Sequence, residues 1–188
     1  MATDSKIKFT YKDYQSLPAS FDKQYEILGG DLVMVPAPVP YHQRVSRNLE
    51  FLLWDFVKKN ELGEIFYAPI DVLLGNETIV QPDICFITKK RLSIIKKKLI
   101  KGAPDLVVEV FSPGTARIDT GIKETLYARH KVKEYWKVDP EAETIETLKL
   151  GEAGYVRLGL YGREDLLGSP LFSNLKIALS EIFIKRLS

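Results

Sequence analysis

The clearest hydrophobic pattern is a run of apolar and β-branched residues over 105–111, Asp-Leu-Val-Val-Glu-Val-Phe. A short apolar run of this kind predicts a buried strand. Glu109 stands in its middle, and because burying a lone carboxylate is costly, a partner is expected. The pattern that follows predicts a helix over 117–130, on which Asp119 and Lys123 lie four residues apart and share one face. Lys123 is therefore the candidate partner of Glu109.

A second helix is predicted over 41–59, where apolar residues recur with the spacing of one helix face. The strongest turn signal is Gly29-Gly30, which predicts a hairpin over 25–35. Thr10 is placed to cap a short helix before it. Further strands are predicted over 64–74, 78–87, 134–139, 144–150 and 155–160, the first two forming one hairpin and the last two another.

This order of elements predicts an α/β (α+β) layer built on a mixed sheet, because strands and helices do not alternate regularly enough for a doubly wound sheet. At 188 residues the chain fits one domain, 1–188.

Composition adds mainly exclusions. With 45% hydrophobic and 28% charged residues the chain has the makeup of a globular protein, and no apolar run reaches the ~20 residues that span a bilayer. The single cysteine, Cys85, cannot form an internal disulfide, and the N-terminus lacks a secretory signal, so a cytoplasmic location is expected. The net charge of +2 is too small to indicate nucleic acid by itself.

Two acids lie in apolar segments predicted to be strands, Asp83 after Pro82 and Glu109 in the run described above. Carboxylates brought close together repel unless a divalent cation lies between them, and Mg²⁺ is commonly held by one or two carboxylates with water and substrate phosphate. Such an ion activates water and stabilises charge on a phosphodiester. The pattern predicts a Mg²⁺ site at Asp83 and Glu109, with Lys123 as a point charge for water or phosphate.

These motifs resemble the PD-(D/E)XK nuclease superfamily and, more closely, its Uma-two family of restriction-endonuclease-like proteins. The resemblance spans about residues 25–171 and is carried by Gln81-Pro82-Asp83, Pro104-Asp105-Leu-Val-Val-Glu109-Val-Phe-Ser-Pro113, Lys123, Tyr127 and Glu134-Tyr135-Trp136. It implies a restriction-endonuclease-like mixed sheet flanked by helices, with extra N- and C-terminal hairpins. It also implies Mg²⁺- or Mn²⁺-dependent catalysis by Asp83, Glu109 and Lys123, the metal being held by both carboxylates and the Val110 carbonyl.

One position departs from the superfamily pattern. The usual lysine two residues after the glutamate is replaced by Phe111. In the family that this chain resembles, the lysine is taken to have moved to the following helix, which makes it Lys123. The superfamily often adds a glutamate on the first core helix, and Glu50 is the matching candidate.

Three further residues are candidate accessories. Asp71 is expected roughly opposite Gln81 to Asp83 across the predicted hairpin, and Gln81 precedes the Pro-Asp pair. His42 stands at the start of the 41–59 helix, where a hydrogen-bonded, partly buried histidine is the alternative to a role near substrate.

The run 89–101 is dominated by positive charge. It is either a solvated face or a contact to nucleic-acid backbone, and the candidate contacts are Lys89, Lys90, Arg91, Lys96, Lys97 and Lys98.

The expected function is a Mg²⁺-dependent endonuclease acting on DNA, in which a homodimer would serve to cut two strands. Two alternatives stay open: a non-catalytic nucleic-acid-binding module, favoured by Phe111, and a metal-dependent hydrolase of another phosphate ester.

Overall fold

The computed structural model describes residues 7–17, 24–112 and 118–184, and the side chains of 118–120 lie outside that description. The α-helices are α1 (Tyr11–Gln15), α2 (Pro40–Lys59) and α3 (Glu124–Arg129). The segments Lys89–Ile94 and Leu179–Glu181 are 3-10 helices, and Ile118–Lys123 is a π-helical turn that leads directly into α3. The predicted 117–130 helix is thus present as two joined pieces.

Thirteen strands are described: β1 (Gln24–Leu28), β2 (Asp31–Val35), β3 (Gly63–Tyr67), β4 (Val72–Gly75), β5 (Thr78–Val80), β6 (Ile84–Thr88), β7 (Ile100–Lys101), β8 (Leu106–Val110), β9 (Glu134–Asp139), β10 (Thr144–Leu150), β11 (Tyr155–Gly162), β12 (Leu166–Ser169) and β13 (Phe172–Ala178). They form a six-stranded sheet in the order β11-β10-β9-β8-β6-β3 and a five-stranded sheet in the order β2-β1-β5-β4-β7. A two-stranded sheet pairs β12 with β13. Strands β8 and β9 are parallel whereas β6 and β8 are antiparallel, so the predicted mixed sheet is confirmed.

The six-stranded sheet is the central layer, with a hydrophobic cluster on each face. On one face Ile84 and Val108 pack with the apolar side of α2 and with residues of β13. On the other face Cys85 and Val107 pack with α3 and with strands of the five-stranded sheet. Successive residues of a strand point to opposite faces, so β8 contributes to both clusters and is buried along its whole length.

The predicted antiparallel pairing of 64–74 with 78–87 is confirmed, but neither segment is one continuous strand. Each predicted strand is interrupted near a proline, Pro69 in the first and Pro82 in the second, because proline has no N–H to donate to a ladder. The outer halves pair as β3 with β6 in the six-stranded sheet, and the inner halves pair as β4 with β5 in the five-stranded sheet. What looked like one hairpin therefore connects two sheets.

Other elements agree closely with the predictions. The hairpin at Gly29-Gly30 is confirmed, with φ values of 64° and 94° that glycine adopts without strain. The backbone N–H of Thr10 donates to the Asp13 carboxylate at 2.8 Å, as in a capping box at the start of α1. The β12–β13 pair was not placed by the sequence pattern.

Candidate active site

Glu109 lies near the end of β8 and is 3% exposed. Its Oε1 atom accepts a hydrogen bond from Lys123 Nζ at 3.0 Å and another from the Tyr127 hydroxyl at 2.5 Å. Burial, reinforced by the neighbouring Glu109 carboxylate, raises the pKa of the Tyr127 hydroxyl well above its ordinary value, so Tyr127 remains a hydrogen-bond donor. The predicted pairing of Lys123 with Glu109 is confirmed, and it supplies the buried carboxylate with a cation.

Lys123 and Tyr127 reach Glu109 together because they lie four residues apart, on one face of the turn that enters α3. The start of α3 is tied to the central sheet by Glu124, whose Oε2 atom lies 3.0 Å from Lys137 Nζ on β9. Lys137 is the residue opposite Glu109 on the neighbouring strand, yet its amine lies against Glu124 and Glu146. Of these two lysines, Lys123 is therefore the one that contacts Glu109. The side chain of Asp119, the predicted helix partner of Lys123, lies outside the described residues.

A second carboxylate, Glu26 on β1, shares the Lys123 amine. Lys123 Nζ lies 3.1 Å from Glu26 Oε1, and Glu26 is 1% exposed. The same oxygen accepts the backbone N–H of Gln81 at 2.6 Å. Sequence reasoning missed Glu26, although the signal was the same as for Glu109: an acid inside an apolar strand segment, Tyr-Glu-Ile-Leu.

Asp83 lies immediately before β6, where the ladder that pairs Ile84 with Val108 would place it opposite Glu109. Its Oδ2 atom accepts the backbone N–H of Val110 at 2.8 Å and lies 3.4 Å from His42 Nε2 at the start of α2. The carboxyl is thus fixed at the strand end next to Glu109. The structure brings the candidate accessory His42 against Asp83, whose side chain is more exposed than that of Glu109.

Asp71 contacts Gln81, which in turn contacts Glu26. Gln81 Nε2 donates to Asp71 Oδ1 at 2.8 Å, which confirms that Asp71 lies opposite Gln81. The Tyr14 hydroxyl donates to the same oxygen at 2.8 Å, and burial, with the Asp71 hydrogen bond second, raises the pKa of Tyr14. Asp71 therefore contacts the neighbours of the site, with Gln81 as the link to Glu26.

Glu50 lies on α2 about 12 Å along the helix axis from His42, the residue of that helix that contacts Asp83. It is half-buried, and burial raises the pKa of its carboxyl. The structure thus places Glu50 two turns away from the Asp83 contact.

The basic candidates lie at the opposite end of β6 from Asp83. Lys89, Lys90 and Arg91 begin a 3-10 helix directly after β6, so about 16 Å of strand separates them from Asp83. Arg91 Nη1 lies 2.9 Å from Asp105 Oδ1, and Lys89 Nζ lies 3.1 Å from Glu61. Lys96, Lys97 and Lys98 follow in the exposed segment before β7.

Tyr127, Tyr135 and Trp136 are all fully buried, which confirms that they are core residues. Cys85 is buried in the same hydrophobic cluster as Tyr127 and Tyr135, and burial raises the pKa of its thiol to about 12.

Across residues 7–17, 24–112 and 118–184, no three His, Cys, Asp or Glu side chains converge as a preformed metal centre. No helix of the described chain is both long and apolar enough to cross a membrane.

The fold is shared with a crystal structure from Anabaena variabilis ATCC 29413 described as "a putative nuclease belonging to DUF820". The TM-score is 0.77 at 18% sequence identity, and the match covers 93% of this chain and 97% of that one. None of the curated proteins matches the chain. The model of the Uma2 family, described as "Putative restriction endonuclease", matches residues 11–180, and the chain therefore belongs to that family.

Proposed function

We propose that this protein is a divalent-metal-dependent nuclease that hydrolyses phosphodiester bonds of DNA at the cluster of Asp83, Glu109 and Lys123. One observation carries the proposal. Two buried carboxyl groups, Glu26 and Glu109, share a single buried amine, that of Lys123, and Asp83 accepts the backbone N–H of Val110, the residue after Glu109. Asp83 and Glu109 lie at adjacent strand ends, and two neighbouring carboxylates favour a divalent cation between them.

The donor set fits such a cation. Mg²⁺ binds oxygen and typically takes one or two protein carboxylates with water and substrate phosphate completing its shell, so a preformed cage of three acids is unnecessary. Asp83 and Glu109 would hold it, joined by the predicted Val110 carbonyl. When bound, the cation would polarise a phosphoryl oxygen and lower the pKa of a bound water.

The side chains have distinct tasks in this proposal. Lys123, which is held at Glu109, would place a positive charge beside the attacking water or the phosphate. The Tyr127 hydroxyl and the Val110 N–H orient the Glu109 and Asp83 carboxylates, because each donates a hydrogen bond to one of them. The basic residues after β6 would contact the phosphate backbone away from the cut, where they add affinity that falls with salt.

The test is cleavage of plasmid, single-stranded and branched DNA with Mg²⁺ or Mn²⁺ by wild type, Asp83→Ala and Glu109→Gln. We expect either substitution to lower cleavage by at least about 100-fold. Asp105→Asn is the matched control, since Asp105 is a buried carboxylate at the other end of the same strand. Equal cleavage by wild type and both site variants would refute the proposal.

A non-catalytic nucleic-acid-binding module is the second candidate, favoured by Phe111 in place of the superfamily lysine. It predicts DNA binding without cleavage and no Mn²⁺ binding at millimolar concentration by calorimetry. Metal binding with hydrolysis of a small phosphate ester, but of no nucleic acid, would support the other alternative, a metal-dependent hydrolase of another phosphate ester. The mass of the native protein in solution tests the predicted homodimer.

A further inference from the structure

Glu26 is the buried carboxyl whose task the proposed chemistry does not use. It comes from β1 of the five-stranded sheet, whereas Glu109 comes from β8 of the six-stranded sheet. Lys123 Nζ lies between them, 3.1 Å from Glu26 and 3.0 Å from Glu109. The amine therefore joins the two sheets at the site.

Glu26 also fixes the segment that carries Asp83. Its Oε1 atom, which contacts the lysine, accepts the backbone N–H of Gln81 at 2.6 Å, two residues before Asp83. The Gln81 side chain is held in turn by Asp71 at 2.8 Å. A single carboxylate oxygen thus fixes the position of the Lys123 amine relative to the segment that carries Asp83.

We propose that Glu26 is a positioning residue, which acts through Lys123 by holding its amine in place when the Glu109 carboxylate turns to a cation. A carboxylate shared between an amine and a divalent cation attracts the amine less strongly. Without Glu26, the long lysine side chain would lose this contact when Glu109 binds the cation, and its amine would be less well placed for the reaction. The five-stranded sheet is then a working part of the site, and the inference rests on the proposed nuclease function for its catalytic consequence.

The first experiment needs no activity. Native wild type and Glu26→Gln are treated with an amine-acylating reagent, with and without millimolar Mn²⁺, and the labelling of each lysine is followed by mass spectrometry. Gln keeps an oxygen to accept the Gln81 N–H but loses the charge that holds the amine. We expect Lys123 labelling to rise at least about tenfold in Glu26→Gln, with the larger rise in Mn²⁺.

Two references separate positioning from general loosening. Lys137, with its side chain 10% exposed and paired with Glu124 and Glu146, should change by less than about twofold. Glu134→Gln is the matched variant, since Glu134 is also a buried strand glutamate but bonds the Trp136 indole and Ser169 instead. It should leave Lys123 labelling unchanged.

The kinetic readout is a split between kcat and KM. We expect Glu26→Gln to lower kcat by about 100-fold with KM nearly constant. Glu26→Asp should recover part of that loss because it restores the charge. Glu134→Gln should leave both kcat and KM unchanged. Unchanged Lys123 labelling in Glu26→Gln overturns the inference, and so does an equal rise at Lys137. If Glu26→Gln does not fold, Glu26→Asp decides: its shorter side chain should still raise Lys123 labelling, by less than about tenfold, and no rise overturns the inference. Lack of cleavage by wild type would refute the nuclease proposal alone, since the labelling result stands without it.

Discussion

The carboxylates at the two ends of β8 are neutralised in opposite ways. Asp105, immediately before the strand, contacts two cations, Arg91 Nη1 at 2.9 Å and Lys133 Nζ at 2.7 Å. Glu109, near the other end, contacts Lys123, which it shares with Glu26. Asp105 thus contacts two cations, whereas Glu109 and Glu26 contact the same amine.

The cations at the two ends of β8 also differ in how far they are exposed to solvent. The side chains of Arg91 and Lys133 are 34% and 56% exposed, so water solvates their charge. The Lys123 side chain is 5% exposed, so its surroundings must balance the charge. Burial of a carboxylate is common to both ends and does not by itself mark a site. What distinguishes the two ends is that the cations at Asp105 are partly exposed, whereas the amine that Glu109 shares with Glu26 is buried.

The largest stability effect is expected at Lys123. Lys123→Met removes the amine between Glu26 and Glu109 and leaves two buried carboxyls facing each other, which should lower the free energy of unfolding by about 3–5 kcal/mol. Urea denaturation at pH 7 measures it. Millimolar Mn²⁺ should stabilise this variant more than wild type, because the cation replaces the missing charge. A loss below about 1 kcal/mol would contradict the contrast.

Asp105→Asn should cost less, about 1.5–3 kcal/mol, mainly through weaker hydrogen bonds to a neutral side chain. Its two cations are partly exposed and can turn to water, and the amide oxygen can still accept the Thr88 N–H, now 2.9 Å from the carboxylate. The same urea experiment gives the comparison. A loss as large as that of Lys123→Met would remove the proposed difference between the two ends.

The contribution of the Asp105 carboxylate to the free energy of unfolding should be lost at acid pH. Burial alone raises the pKa of this carboxyl, but hydrogen bonds from Lys133, the Thr88 N–H and Arg91 outweigh it and lower the pKa below 3.8. A folded-state pKa below the unfolded value stabilises the fold above the unfolded pKa, and this stability is lost as pH falls through the folded pKa. The gap between wild type and Asp105→Asn should stay constant from about pH 7 to 5 and narrow below about pH 4. A gap that widens in acid would contradict this sign.

The smallest effect is expected from Lys133→Met, no more than about 1 kcal/mol, because the amine is largely solvated and Arg91 still pairs with Asp105. Thermal denaturation beside Lys123→Met shows the contrast directly. A large destabilisation here would mean that the exposed cation carries more of the structure than its solvation implies.

The sequence was sufficient for those parts of the site that lie close together along the chain. Glu109 and Lys123 are 14 residues apart, so an acid in an apolar strand and a lysine on the helix predicted after it indicated their contact. Asp71 and Gln81 were placed opposite each other by the turn between their strands. In both cases the periodicity of two elements close together in sequence was sufficient to predict the contact.

Contacts between the two sheets were not predictable in the same way. Glu26 meets Lys123 only because β1 pairs with β5, through Ile27 and Ile79, and no short-range pattern specifies that partner. The pairing of 64–74 with 78–87 was predicted correctly, but the division of each segment near a proline, which places its two parts in different sheets, was not. Patterns of alternation identify strands well, but the choice of partner strand depends on packing across the whole chain.

The shared amine of Lys123 has a consequence for how the protein folds. Glu26 and Glu109 are about 80 residues apart in sequence, so their meeting closes a long loop and depends on both sheets being in place. A chain that has formed only the β8 to α3 region holds Lys123 against one carboxylate and lacks the other. The complete cluster therefore belongs to the finished fold alone, and a partly synthesised or partly unfolded chain does not possess it.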